Sequence, residues 1–186
     1  MNVVDQMKFK LCVMGDPSVG KTSLIHHFCE GYFKESYLST IGVEFLTKKI
    51  NISIDSREKN ALLQIWDIGG QDLFSRLRRS YLKGAQGALI LFDVTNKPTL
   101  LHIDSWIEEV LRALNLSSVD ELPLVIIGNK IDLDFDQRLK EKADKFIKNQ
   151  FHSKIPIYYT SAKTGTGMQQ VFEEITRFMI KDLERD

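Results

Sequence analysis

The chain has 186 residues, enough for one globular domain with a substantial core. Lys+Arg and Asp+Glu both number 25, so the formal net charge is zero and gives no global electrostatic pull toward nucleic acid or an anionic membrane. Cys12 in an apolar run and Cys29 in a helical stretch read as small buried residues; two such thiols give no disulfide framework and suit a reducing compartment. No apolar run approaches the ~20 residues of a membrane span, and the N-terminus lacks the basic and apolar regions of a signal peptide. The expectation is a soluble, cytoplasmic protein.

In chain order, Phe9 to Met14 reads as a buried first strand and Lys21 to Glu30 as the first helix. A mixed polar and aromatic connection runs from Gly31 to Gly42. Phe45 to Ile54 alternates, with Ile50, Ile52 and Ile54 against Asn51 and Ser53, a half-exposed strand. Asp55 to Asn60 reads as a polar turn, and Ala61 to Trp66 as the returning strand of a hairpin. Ala88 to Phe92 and Leu124 to Ile127 are short continuous apolar runs, as in strands covered on both faces. Between them Ile103, Trp106, Ile107, Val110, Leu111 and Leu114 fall at helical spacing. Ile155 to Tyr159 is the last expected strand, and Met168, Val171, Phe172, Ile175, Phe178 and Met179 stripe the last helix. There is no internal repeat, low-complexity segment or linker. Alternating strands and helices imply one doubly wound α/β domain with ligands at the carboxyl ends of its strands.

The stretch Gly15-Asp16-Pro17-Ser18-Val19-Gly20-Lys21-Thr22 lies between the first strand and first helix, where a phosphate-binding loop belongs. Glycines let the backbone wrap a phosphate, and successive N–H groups with the helix N-terminus form an anion nest. Lys21 can reach the β- and γ-phosphates, and the Thr22 hydroxyl can ligate Mg²⁺. Ordinary residue usage would produce such a pattern by chance in roughly half a per cent of chains this long. The motif implies a nucleoside triphosphate without choosing the base or the reaction.

Three further signals each follow a strand. Trp66-Asp67-Ile68-Gly69-Gly70-Gln71 offers a carboxylate that can hold Mg²⁺ through water and a Gly70 N–H that can meet a γ-phosphate; alone, this Asp-x-x-Gly is weak. Asn129-Lys130-Ile131-Asp132 places a carboxylate, an acceptor pair, where the N1–H and 2-amino donors of guanine suit it and adenine does not. The Lys130 stem can lie on the purine face. In Ser161-Ala162-Lys163, the Ala162 N–H can donate to guanine O6 and would oppose an adenine amino group.

On these motifs the chain resembles the small GTPases of the Ras superfamily, and most of all the Rab branch, over nearly everything from Phe9 to Leu183. Rab-like character lies in Ser39-Thr40-Ile41-Gly42-Val43-Glu44-Phe45, in Leu63-Gln64-Ile65-Trp66-Asp67 and in Phe92-Asp93-Val94-Thr95. The resemblance implies a single G domain over 1–186, with a core of about 9–183. Its mostly parallel six-stranded sheet would carry one antiparallel strand and helices on both faces. It implies a GTP-hydrolysing switch, with GTP/GDP and Mg²⁺ as ligands and a Rab-like role in membrane traffic. Gln71, Lys21 and Thr40 would serve hydrolysis, Gln71 orienting the attacking water. Thr22, Thr40 and Asp67 would hold the metal. The nucleotide would meet Asp16, Pro17, Ser18, Val19, Gly20, Lys21, Thr22 and Ser23, then Phe33 edge-on against guanine, Tyr37, Thr40 and Gly70. Asn129, Lys130, Asp132, Ser161, Ala162 and Lys163 would complete its site. Effectors, exchange factors and activating proteins would read the segments near Thr40 and Gln71; nucleic acid would not be a partner, and the expected state is a monomer. A nucleotide-binding module with little turnover is the second reading. An ATP-using P-loop enzyme conflicts with Asp132.

Three departures stand out. Ile68-Gly69 replaces the usual Thr-Ala and is similar to the Arf branch. Pro17 and Ser18 stand where Ras proteins carry glycines. The sequence as given also stops at Asp186 without the tail and terminal cysteines of eukaryotic Rabs: either a tail was removed or this is an archaeal or other non-lipidated member, and no direct membrane anchor is expected in it. Between Glu30 and Thr40 the one cation is Lys34, so no arginine in cis supplements the charge on the phosphates and turnover is expected to be slow. Among other candidates, His26, His27, His102 and His152 show no zinc spacing and read as surface or capping residues. Trp106 reads as core. Arg76, Arg78 and Arg79, beside Leu73, Phe74, Leu77 and Tyr81, read as a solvated basic face, with partner contact as the second reading.

Overall fold

The computed structural model describes residues 6–33, 40, 42–71, 75–134, 137–151 and 155–185. The elements run β1 (Met7–Gly15), α1 (Lys21–Glu30), β2 (Val43–Ile54), β3 (Arg57–Ile68), α2 (Ser75–Leu82) and β4 (Gly87–Asp93). They continue with α3 (Lys97–Leu101), α4 (Ile103–Leu114), β5 (Leu124–Asn129), α5 (Gln137–Gln150), β6 (Ile157–Thr160) and α6 (Met168–Leu183). The six strands form one sheet in the order β2-β3-β1-β4-β5-β6. β2 is antiparallel to β3, and the other neighbours are parallel.

The alternation of β1 shows why the sheet is covered on both sides. Leu11 and Val13 point into a core shared with Leu24 and Phe28 of α1 and Phe172 and Ile175 of α6. Cys12 and Met14 point the other way, into a core with Trp106, Ile107 and Val110 of α4 and Ala143 and Ile147 of α5. A strand buried on both faces must be apolar at successive positions, which is why β1, β4 and β5 read as continuous runs. Phe28 and Phe172 stack at 3.7 Å between centroids, tying α1 to α6. Because β1 has β3 on one side and β4 on the other, the crevice at its carboxyl end lies where the winding reverses, the usual ligand position of such sheets.

Four expectations need correction. The turn expected over Asp55–Asn60 occupies Asp55 and Ser56 alone, and Arg57 to Asn60 belong to β3, paired from Ile54↔Arg57 to Asn51↔Asn60. Both turn residues have positive φ, 49° and 63°, the conformation of a two-residue hairpin whose twist matches its strands. Ladder bonding along an edge hairpin does not require apolar side chains, so polarity concealed the strand. β6 begins at Ile157 instead of Ile155, because Pro156 has no N–H for the ladder although its carbonyl accepts from Ile126 at 3.0 Å. Helix α5 was not anticipated: its core-facing set of Ala143 and Ile147, with Leu139 and Phe146 packed beside them, is sparse among lysines. Cys12 is fully buried, whereas Cys29 is only half-buried. Among the described residues no helix is long and apolar enough to cross a membrane.

Candidate nucleotide cleft

A cleft of about 600 Å³ opens at the carboxyl ends of β1, β3 and β5. Its walls are Pro17, Ser18, Gly20, Lys21, Thr22 and Ser23 on one side, Phe33, Thr40, Gly69, Gly70 and Gln71 on another, and Asn129, Lys130, Asp132, Leu133, Ala162 and Lys163 at the far end. Four expected residues stand behind these walls: Asp16, Val19, Asp67 and Ser161. Tyr37, with Lys34, Ile41, Leu73, Phe74 and His152, lies outside the described residues.

At the near end, β1 stops at Gly15 and α1 begins at Lys21, so the loop between them faces the cleft with its backbone. Gly20 has φ +99°, and a Cβ there would stand 2.3 Å from the Asn129 amide nitrogen. Glycine is what lets Asn129 donate to the Val19 carbonyl at 2.9 Å and lock the loop to β5. The Val19 side chain meanwhile packs in the core. Lys21 folds back over its own loop, with Nζ donating to the carbonyls of Gly15 and Asp16 at 2.8 Å each. Burial pulls its pKa down to about 8, against the pull of Asp67 and Asp16, while Arg78 pushes the same way as burial.

Below Lys21 three oxygens converge. The Thr22 hydroxyl donates to Asp67 Oδ2 and lies 2.7 Å from the Thr40 hydroxyl, which itself donates to Asp67 Oδ2 at 3.1 Å. Asp67 is 1% exposed, and its Oδ1 has no hydrogen-bond partner among the described residues. Burial pushes this carboxyl up, with Thr22 and Lys21 opposing the shift. A buried carboxylate with an orphaned oxygen beside two hydroxyls is a hard-oxygen set that fits Mg²⁺. Gly70 follows at the corner: a Cβ there would lie 2.4 Å from the Gly15 carbonyl oxygen and 2.7 Å from Pro17 N. Gly69 is less confined, 3.0 Å from the Thr40 carbonyl oxygen by the same measure, so alanine at this position would press lightly on Thr40.

At the far end, Asn129 is fully buried and organises two loops. Its Oδ1 accepts from the Thr160 hydroxyl at 3.0 Å and from the Ala162 N–H at 3.1 Å. Ser161 donates to Asp132 Oδ1 at 2.6 Å, aiming the carboxylate that lines the cleft. Lys130 has φ 73° and pairs with Asp93 at 2.6 Å. Because the Ala162 N–H already serves Asn129, a base oxygen would have to share it in a three-centred bond.

Several contributors were not legible as such. Leu133 and Gly69 line the cleft. His27 of α1, read as a surface or capping residue, donates from Nδ1 to the Ala162 carbonyl at 2.6 Å and so braces the far loop. The Asp16 carboxylate turns to α4, accepting from Trp106 Nε1 at 2.7 Å and pairing with His102 Nδ1 at 2.6 Å. Trp106 is therefore core by its ring and polar by its nitrogen. Arg78 overturns the solvated-face reading: it is 4% exposed and holds Glu109 with Nε at 2.6 Å and Nη2 at 3.1 Å. Its spacing from the buried Leu82, i to i+4, was the available signal that it sits on the inward stripe of α2.

The Ras family profile matches residues 10–181. Ypt/Rab-type GTPase YPT7 of Saccharomyces cerevisiae is 35% identical over 95% of this chain and 84% of its own length. Ras-related protein Rab7 of Drosophila melanogaster is 34% identical over 90% of this chain and 78% of its own. Ras-related protein Rab-7a of Paramecium octaurelia is 32% identical over 91% and 80%. A phosphate-loop cleft in a six-stranded mixed sheet and similarity along almost the whole chain lead to one assignment: the chain belongs to the Ras family of small GTPases and is Rab-like.

Proposed function

We propose that this cleft holds GTP and GDP, the phosphates between Lys21 and the corner at Asp67–Gln71 and the guanine between Lys130, Asp132 and Ala162. The observation that carries the reading is that one cleft has two chemically distinct ends. Near α1 it offers a lysine, two hydroxyls and an under-partnered carboxylate; beyond Asn129 it offers a carboxylate held ready by Ser161. Phe33 lines the wall between them, where an edge contact with the base is available. Thr22, Thr40 and Asp67 would hold Mg²⁺, directly or through water, and the ion would supply positive charge beside the β- and γ-phosphates. Lys21 contributes a cation to the same phosphates, and Gln71 orients the attacking water.

Only a triphosphate reaches both Thr40 and the Gly70 N–H, so its hydrolysis would release both segments and end partner recognition. The partner-facing surface begins on β2 beside Thr40, where Phe45 is 56% exposed, stacks on Trp66 at 5.5 Å, and leaves an apolar face open to an effector. In keeping with its Rab-type relatives, the switch would act in membrane traffic. All described strands belong to one sheet, which supports a single G domain.

The test is base exchange. Asp132→Asn should weaken GTP binding by on the order of 2–4 kcal/mol and improve xanthosine triphosphate binding, since a charged acceptor pair is lost and a donor gained. Equal binding of ATP and GTP by the unaltered protein in a competition titration would refute the guanine reading.

A further inference from the structure

We infer that Arg78 is a positioning residue for hydrolysis, pinning the main chain of Gln71 in register with the phosphate loop. The inference rests on the reading of Gln71 as the water-orienting group. Gln71 follows Gly69, whose N–H donates to the Gly42 carbonyl at 3.0 Å, and Gly70, whose backbone abuts Gly15 and Pro17; these contacts precede Gln71 and do not themselves orient it. Something outside the segment must therefore fix where the Gln71 side chain starts. Arg78 Nη1 donates to the Gln71 carbonyl at 2.9 Å, from a guanidinium that is itself held rigidly. Glu109 of α4 takes its Nε and Nη2, and the Trp106 ring lies 4.8 Å beneath its central carbon.

The same Trp106 donates to Asp16 at 2.7 Å, and the Asp16 carbonyl accepts from Lys21 Nζ at 2.8 Å. One chain of contacts thus runs from the phosphate-facing lysine, through Asp16, Trp106 of α4 and Arg78, to the residue that would orient water. An ion pair serving stability alone would be completed by Glu109. The bond to Gln71 leaves both helices and ends at the cleft wall. Arginine suits this task because its planar fork can serve a carboxylate and a carbonyl at once while lying on an indole face.

The experiment measures single-turnover GTP hydrolysis and GTP and GDP dissociation constants for the full chain, Arg78→Ala, Arg78→Lys, Glu109→Gln, Gln71→Leu and Arg78→Ala/Gln71→Leu. Arg78→Ala should slow hydrolysis by on the order of 10–100-fold, the scale on which a misplaced group loses rate, with nucleotide affinities retained. Arg78→Lys should recover part of the rate, since it keeps a donor for the carbonyl without the fork. The double variant should be no slower than Gln71→Leu, because both changes remove one contribution. If Arg78→Ala does not fold, Glu109→Gln carries the test: it loosens the guanidinium and should show the same slowing with affinity retained. Wild-type rate in a folded Arg78→Ala, multiplicative effects in the double variant, or affinity falling in step with rate would each overturn the inference. A Gln71→Leu variant at wild-type rate refutes the Gln71 reading and the inference with it. A slow Gln71→Leu beside a fast Arg78→Ala refutes the inference alone.

Discussion

At Gly70 the tolerance is set by backbone atoms that cannot step aside. A Cβ would sit 2.4 Å from the Gly15 oxygen and 2.7 Å from Asp16 C, so Gly70→Ala must push the corner away from the phosphate loop. The expected cost is on the order of 1–3 kcal/mol by denaturant titration, the range of overpacking; a neutral substitution would show that the corner does not pack there. Thr22 makes a different argument, because its hydroxyl is shared between Asp67 and Thr40. Thr22→Asn should lower triphosphate affinity more than diphosphate affinity, since only the longer nucleotide recruits Thr40; equal losses would count against the proposed first switch. Burial pushes the Cys12 thiol up to about 12 and the Cys29 thiol up to about 11, which lowers the thiolate each presents. At pH 8 the Cys29 thiolate fraction is then on the order of 10⁻³, and a disulfide reagent should react far more slowly with the native protein than with the unfolded chain. The sign for stability follows: thiols raised in the fold favour it fully below their unfolded value of 9.0, and that contribution is lost as pH climbs from there toward about 11 for Cys29 and about 12 for Cys12.

Among the elements, the β2–β3 hairpin and α5 show where periodicity speaks and where it is silent. Ile50, Ile52 and Ile54 each lie within 5% exposure, so alternation alone located the inward face of β2. The far half of β3 has no such signature, because Glu58, Lys59 and Asn60 satisfy the ladder with their backbones on an edge hairpin. The turn retains a strain that can be relieved. Ser56 has φ 63°, which glycine adopts freely, so Ser56→Gly should stabilise by ~0.5–1 kcal/mol. A loss of stability on thermal unfolding would mean that the serine side chain contributes more than the strain costs. Helix α2 makes the complementary point. Three arginines in a row of five residues look solvated when counted, yet Arg78 shares its face with Leu82 and points inward. Composition could not separate them, because a buried arginine becomes tolerable only once Glu109 and Trp106 arrive from another helix.

For the whole molecule, zero net charge means that the local cations must carry phosphate recognition. Among the described residues lining the cleft these are Lys21, Lys130 and Lys163, with no arginine among them. Intrinsic hydrolysis should therefore be slow, and an arginine supplied by an activating partner should raise it by on the order of 10³–10⁵, the magnitude known for Ras with its activator. Pro17 lines the entry and carries no N–H, so Pro17→Gly should enlarge a partner's acceleration by relieving crowding beside Gln71. Single-turnover rates with and without a Rab-type activating domain would decide this, and full activated speed in the unaided protein would refute it.

Sequence by itself determined the local order: a strand, a glycine-bearing loop and a helix at Gly15–Thr22, then an acidic or polar signal after three of the later strands, at Asp67, Asn129 and Ser161. Those features are local because backbone wrapping, helix starts and strand burial depend on neighbours within a few residues. The antiparallel pairing of β2 with β3 was legible from a polar turn between two strand patterns, and the double coverage of β4 and β5 from their apolar runs, whereas the order of the strands in the sheet was decided only by the packing of the whole chain. Tertiary structure alone decided the braces: His27 on the Ala162 carbonyl, Asn129 across to Val19, Asp16 on α4 and Arg78 on Gln71. Each joins groups brought together only when helices dock on the sheet. A histidine, an aspartate or an arginine read in a line carries no mark of its partner, because the free energy that places it comes from burying both members of the pair at once.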